Sequence, residues 1–267
     1  MIRVCDIDIK QSKFPDNTLL LKIAEEVLHT CETTDDIVID WFYENDAELF
    51  TLICVKRYID EYFYDVDIHL NMPYVPHARM DRVKNDEDVF TLKYFCEVIN
   101  YLNFTTVWVR DAHSNVSLAL LNNVKEEPIS GAIVEAFLQS SAEVLFFPDE
   151  GSMKRYSGGF DIPYAFGIKK RDWKTGEILG LDVSGNVEAI TGKDILIVDD
   201  ICSRGGTFYH SAKKLKELGA DKIYLYITHC ENTILEGELL TSGLIEKVYT
   251  TNSIFTKEHE MIEVFEL

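Results

Sequence analysis

The stretch Asp194-Ile195-Leu196-Ile197-Val198-Asp199-Asp200-Ile201-Cys202-Ser203-Arg204-Gly205-Gly206-Thr207 decides how this chain is read. Its four consecutive apolar residues, 195–198, predict a strand buried on both faces of a sheet. Asp199 and Asp200 then fall at the carboxyl end of that strand, where open α/β sheets collect their ligands. Ser203 and Thr207 bring hydroxyls, and Gly205 and Gly206 let backbone approach a ligand closely. The helix starting at Thr207 aims its first amides at an anion. A bare Asp-Asp before a helix is commonly an ordinary turn with acidic cap residues. The full string of apolar strand, two carboxylates, small polar residue and Gly-Gly-Thr suits something more specific, a phosphorylated ribose, whose hydroxyls need acceptors and whose phosphate needs donors. A Walker-type cradle is excluded, because Gly185 and Gly192-Lys193-Asp194 have the wrong spacing and no hydroxyl follows the lysine.

Outward from this stretch, short apolar runs alternate with helical periodicity along the whole chain, which predicts an α/β protein with mainly parallel sheets. Strands are expected at 19–23, 37–42, 66–72, 106–110, 144–147, 165–169, 195–198, 222–228 and 247–250. The clearest helices are 90–103, 130–141 and 207–218, the last ending at Gly219 in the position of a left-handed C′ glycine. The polar stretch 122–128 separates one set of βα units from the next, so lobes are expected over 1–125 and 126–267.

At 267 residues either lobe can bury a core. The formal charge of −20, from 26 basic and 46 acidic side chains, opposes binding to nucleic acid or an anionic membrane. Local groups can still take a phosphorylated ligand, since salt screens distant charge over roughly 8 Å, and acidity favours a bound cation. Six scattered cysteines without a CxxC pair fit reduced thiols. No apolar leader or long apolar run is present, and a cytoplasmic chain without membrane contact is expected.

The string 195–207 resembles the ribose-phosphate signature shared by type I phosphoribosyltransferases and phosphoribosyl pyrophosphate synthetases. Asn71-Met72-Pro73-Tyr74-Val75-Pro76-His77-Ala78-Arg79-Met80-Asp81-Arg82 separates these two families. It resembles the Pro-Tyr, Ala-Arg-Gln-Asp-Arg segment of the synthetases, with Met80 in place of glutamine. Phe14-Pro15-Asp16-Asn17-Thr18 is similar to their Phe-Ser-Asp-Gly-Glu element, with Thr18 replacing the acid. Asp111-Ala112-His113 and Pro148-Asp149-Glu150-Gly151 resemble their Asp-Leu-His and Pro-Asp-His-Gly. Lys169-Lys170-Arg171 is similar to the Lys-Arg-Arg at the base of their catalytic loop. Thr228-His229 and Thr251-Asn252-Ser253-Ile254 match further strand ends.

The resemblance implies two phosphoribosyltransferase-like lobes, each a mainly parallel sheet flanked by helices, with the final segment returning to the first lobe. The first would bind ATP and the second the ribose phosphate. Transfer of the diphosphoryl group of ATP to the 1-hydroxyl of a 5-phosphorylated ribose, with release of AMP, is the implied reaction. Phe14 and Asp16 would hold the adenine of a neighbouring subunit's ATP, which implies at least a homodimer. Arg79 would meet the ATP phosphates and Asp81 would order its loop. His113 and Asp149 would lie at Mg2+, and Lys170 and Arg171, with His113, would serve the transfer. Asp199, Asp200, Ser203, Arg204, Gly205, Gly206 and Thr207 would hold the ribose phosphate.

Where the synthetases usually read Asp-Thr-Ala-Gly-Thr, this chain reads Ser203-Arg204-Gly205-Gly206-Thr207, which raises the local charge by two. That departure admits ribose 5-phosphate or a longer anion such as ADP-ribose as acceptor. A non-catalytic regulatory homologue is opposed by the retained Asp199, Asp200, His113 and Lys170. A phosphoribosyltransferase is opposed by the segment at 79–82.

Overall fold

The computed structural model describes residues 1–171 and 178–267, the side chains of 169–180 lying outside that description, and divides into two compact units, Met1–Pro128 and Ile129–Leu267. The first unit opens with the hairpin β1 (Ile2–Val4) and β2 (Ile7–Asp8). A second hairpin, β3 (Gln11–Lys13) and β4 (Leu19–Leu21), follows. It continues through α1 (Glu25–Thr33), β5 (Asp36–Trp41), α2 (Ala47–Tyr62), β6 (Asp67–Asn71), α3 (Thr91–Tyr101), β7 (Thr106–Arg110), α4 (Asn115–Leu120) and β8 (Val124–Glu127). The sheet order is β2-β1-β5-β6-β7-β8, parallel from β5 to β8, with β1 antiparallel to β5.

The expected strand at 19–23 does not join this sheet. Its leucines pair instead with Gln11–Lys13 in a separate two-stranded sheet. The polar stretch 122–128 contains β8, an edge strand in register with β7 from Val107↔Val124 to Arg110↔Glu127. Edge position explains how so polar a sequence forms a strand, because only one side is paired and the charged side chains stay in water.

The second unit runs through α5 (Ser130–Ser140), β9 (Val144–Phe147), α6 (Glu150–Tyr156), β10 (Tyr164–Arg171), β11 (Ile178–Gly185), β12 (Ile195–Cys202), α7 (Gly206–Glu217), β13 (Ile223–Cys230), β14 (Lys247–Thr251) and β15 (Ile262–Phe265). The order is β11-β10-β9-β12-β13-β14-β15, with β10 and β11 antiparallel and the remaining pairs parallel. The final strand therefore closes this second sheet rather than returning to the first lobe. Along β12, Ile195 and Ile197 pack with Ile223, Leu225 and Ile227 on one face. Leu196 and Val198 pack with Phe147 and Tyr226 on the other. Burial of each such side chain contributes roughly 1.5–3 kcal/mol, and burial of both faces explains the unbroken apolar run. Gly219 ends α7 at φ +87°.

Both units are α/β with parallel-dominated sheets, as the alternation of apolar runs predicts. Among the described residues no helix is long and apolar enough to cross a membrane.

Candidate active site

The strand order of the second unit reverses between β9 and β12. From β9 the chain passes through α6 to β10 on one side, and from β12 it passes through α7 to β13 on the other. Such a switch point opens a crevice at the carboxyl ends of the two strands. β12 continues to Cys202, four residues beyond the expected end at Val198, so Asp199 and Asp200 are themselves strand residues. Pairing to β13 persists from Asp199↔Ile227 to Cys202↔Cys230, whereas pairing to β9 last occurs at Ile197↔Phe146. The two aspartates thus stand where β9 has already turned away into α6.

Their environments differ. Asp200 is buried, and Nη1 of Arg155, from α6, lies 3.1 Å from its Oδ2. Asp199 is half-buried, and its Oδ1 accepts from the Asp200 amide at 3.1 Å. Arg155 is a site residue that sequence reading missed. A cation in the last turn of a short helix has an ordinary explanation in the helix dipole, and only the fold carries it across to β12.

The loop after β12 is shaped by two glycines. Gly205 precedes α7 at φ +81°, and a Cβ there would come within 2.9 Å of Leu239. Gly237 backs the loop so closely that a Cβ would stand 1.9 Å from the Arg204 carbonyl oxygen. At Gly206, by contrast, a Cβ would meet nothing within 4 Å. The outer side of the loop therefore leaves space beside Gly206 where α7 begins, and the cap position, being a glycine, brings no side chain to the first amides. Ser203 and Thr207 flank it half-buried, and the Arg204 guanidinium pairs with Glu236 at 3.1 Å, both exposed.

At the end of β9, Asp149 caps α6. Its Oδ1 accepts from Gly151 and Ser152 amides at 3.0 and 3.1 Å, and the Ser152 hydroxyl oxygen in turn accepts from the Asp149 amide. One oxygen is thus committed to the helix. Among the described residues no three His, Cys, Asp or Glu side chains converge as a metal cage. Mg2+ is ordinarily held by one or two carboxylates together with substrate phosphates and water, so these residues fit a magnesium that arrives with ATP.

In the first unit, the loops after the neighbouring parallel strands β6 and β7 bring Asp81 and His113 together. Arg82 donates to both oxygens of Asp81 at 2.8 and 3.2 Å. That pair first, then the Ser114 hydroxyl and the charges of Arg82 and His113, hold the Asp81 carboxyl below its usual range. Ser114 also caps α4, accepting from the Val116 amide at 3.2 Å. Arg79 lies exposed on the same loop, following the left-handed His77. Phe14 and Asp16 sit apart, in the turn of the β3–β4 hairpin. Thr18 donates its amide and hydroxyl to Asp16 at 3.0 and 2.7 Å, so the residue that departs from the family pattern closes the turn, and its bonds hold the carboxyl low. Lys170 and Arg171 belong by backbone to β10; their side chains lie outside the described residues.

A protein-family model described as the phosphoribosyl synthetase-associated domain matches residues 178–264, the segment from β11 to β15. The ribose-phosphate pyrophosphokinase of Pyrococcus furiosus is 27% identical over 265 residues, covering 95% of this chain and 88% of that protein. That of Thermoplasma volcanium is 29% identical over 260 residues, covering 92% and 86%. Along nearly its whole length this chain is similar to phosphoribosyl pyrophosphate synthetases. The synthetase fold is also matched by the crystal structure of phosphoribosylpyrophosphate synthetase from Mycobacterium smegmatis, at a TM-score of 0.70 over 98% of this chain and 87% of that one, with 17% sequence identity.

Proposed function

We propose that this chain is an ATP-dependent ribose-phosphate diphosphokinase, which transfers the diphosphoryl group of MgATP to the 1-hydroxyl of ribose 5-phosphate and releases AMP. The observation that carries this reading is the meeting of Asp199, Asp200 and the open amino end of α7 at the strand-order switch. Carboxylates there accept the 2′- and 3′-hydroxyls, while Ser203, Gly205, Gly206, Thr207 and the helix amides receive the 5-phosphate. The similarity to pyrophosphokinases along nearly the whole chain supports it.

In the reaction the 1-hydroxyl oxygen bonds to the β-phosphorus, the bond from that phosphorus to the α–β bridging oxygen breaks, and AMP leaves while the hydroxyl proton passes to solvent. Positioning and charge neutralisation supply most of the catalysis in such transfers. Magnesium bound to the ATP phosphates offsets part of their charge. Arg79 and the Asp81–His113 loop are assigned to ATP, Asp149 to the magnesium ion, and Lys170 and Arg171 to the transferring phosphates. Phe14 and Asp16 are assigned to the adenine of a second copy's ATP, which makes the active species at least a dimer.

For the acceptor, the pair between Arg204 and Glu236 cancels the extra cation that would favour a longer anion. Ribose 5-phosphate is therefore preferred to ADP-ribose. Incubation with ATP, Mg2+ and either acceptor, with products resolved by mass, tests both points. AMP and a 1-diphosphate are expected with ribose 5-phosphate. The same products from ADP-ribose alone would reverse the acceptor assignment, and no AMP with either would refute the reaction in favour of a non-catalytic homologue.

A further inference from the structure

The turn that carries Arg79 is held by a side chain outside the assigned site. From β6 the chain is fixed as far as Pro73, because the Met72 amide donates to the Trp108 carbonyl at 2.9 Å and the Pro73 carbonyl accepts from the Arg110 amide at 3.0 Å. Val75, Pro76 and Ala78 are buried. Between the last two stands His77 at φ +63°, in a left-handed backbone that few residues other than glycine adopt. Its carbonyl accepts from the Met80 amide at 2.9 Å, which closes a four-residue turn with Arg79 in the third place. The conformation of the first residue sets the direction in which such a turn leaves the preceding chain.

The His77 ring ties this turn to two helices. Nε2 lies 3.2 Å from Oδ1 of Asp46, the residue before α2, and the ring centre lies 5.5 Å from that of Phe95 on α3. Both supports are themselves fixed. Asp46 Oδ1 also accepts from the Tyr43 hydroxyl at 2.8 Å, and the Asp46 carbonyl accepts from the Leu49 amide at 3.2 Å in the first turn of α2. Phe95 is buried, its ring 6.0 Å from that of Trp41. As a source of stability the arrangement is poor. Asp46 is exposed and His77 only half-buried, and pairs so open to water contribute little, whereas a left-handed backbone at a residue with a Cβ is strained. Strain of this kind persists where surrounding contacts impose it, and it gathers at sites whose geometry a ligand needs. Here the strained residue stands two positions before the arginine assigned to the ATP phosphates.

We propose that His77 is a positioning residue for the nucleotide: held by Asp46 and Phe95, it sets the turn from which Arg79 reaches the ATP phosphates. This role rests on the assignment of Arg79 to ATP. Calorimetric titration of the full chain with α,β-methylene-ATP and Mg2+, in the presence of ribose 5-phosphate, reads nucleotide affinity without turnover, because the carbon bridge between the α- and β-phosphorus is not cleaved. Arg79→Ala is the reference and is expected to weaken binding about tenfold or more. His77→Gly leaves the left-handed turn accessible but removes the anchor, and is expected to weaken binding by about tenfold with the affinity for ribose 5-phosphate unchanged. Asp46→Ala reproduces that loss, and the double variant His77→Gly/Asp46→Ala binds no more weakly than either single one, because both remove the same contact. Asp46→Asn, whose side-chain oxygen still accepts, recovers most of the affinity. Thermal melts verify that each variant folds. A wild-type chain that does not bind the analogue, or an Arg79→Ala chain that binds it as wild type does, overturns the reading of Arg79 and the role of His77 together. A loss on Arg79→Ala without one on folded His77→Gly overturns the role of His77 alone. So do losses from His77→Gly and Asp46→Ala that simply add, or that fall equally on ribose 5-phosphate.

Discussion

Two buried carboxylates end parallel strands in this molecule, Asp40 on β5 of the first unit and Asp200 on β12 of the second, and they are treated differently. Asp40 accepts from the Asn71 side-chain amide at 2.7 Å. Burial outweighs that bond and the charges of Arg3 and Arg110, with Asp6 adding to it, so the Asp40 carboxyl is pushed up. Asp200 instead faces the Arg155 guanidinium directly. A buried carboxylate is costly unless paired, so the full cation spent on Asp200 marks the strand end where a negative charge is used. The amide at Asp40 is sufficient for a structural role.

The largest effects should fall in the second unit. Lys170→Ala is expected to reduce the rate of AMP release by a factor on the order of 10³ with an unchanged melting temperature. Undiminished turnover would show that β10 does not supply the transferring groups. Asp200→Asn should cost roughly 10²-fold in the same assay, while Asp40→Asn leaves turnover at the wild-type level. Equal losses at the two positions would erase the distinction drawn between them.

Arg155 sharpens the comparison at an intermediate scale. Arg155→Met is expected to raise KM for ribose 5-phosphate by about tenfold, corresponding to about 1.4 kcal/mol, and to leave KM for ATP unaltered. Arg155→Lys should recover part of the loss, since a cation is restored without the planar fork. A fall in kcat with both KM values unchanged would mean that Arg155 does not position the sugar site. Gly205→Ala tests the loop itself. Forcing a Cβ into a left-handed backbone costs roughly 1–2 kcal/mol, and the contact with Leu239 adds to it. Thermal denaturation should therefore register a lower midpoint, whereas Gly206→Ala, facing open space, should melt near wild type.

These features were unequally legible in the sequence. The buried strands 144–147 and 106–110 are visible because continuous Val, Leu and Phe or Val-Trp-Val have no other use in a βα pattern. The extension of β12 through Asp199-Asp200-Ile201-Cys202 is hidden, because its polar residues stay paired to β13 while only the β9 side has ended. β8 and β3 contain too little apolar periodicity to be seen, and the leucines of β4 show a strand without showing that its partner is the polar Gln11–Lys13. Within the candidate site, the residue types that face a ligand are local in sequence and could be named. Their partners are not local. Arg155 reaches Asp200 across 45 positions and Glu236 reaches Arg204 across 32, separations that only the sheet order closes.

The smallest effect returns to Asp40 and has a definite sign. An acid whose folded pKa is raised above its unfolded value, near 3.9, destabilises the folded state fully at pH values above the folded pKa. The penalty fades as pH falls through that value, because the folded chain then takes up the proton more readily than the unfolded one. Asparagine resembles the protonated form and can still accept from Asn71. Asp40→Asn should therefore stabilise the protein at pH 7, a gain that shrinks as the pH is lowered toward 4. Urea denaturation at a series of pH values measures this directly. At Asp200 the corresponding substitution removes the counter-charge of Arg155 and should bring no stabilisation at pH 7. If Asp200→Asn stabilised the chain as Asp40→Asn does, Arg155 would not be holding a charged carboxylate, and the contrast between the two strand ends would fail at its electrostatic root.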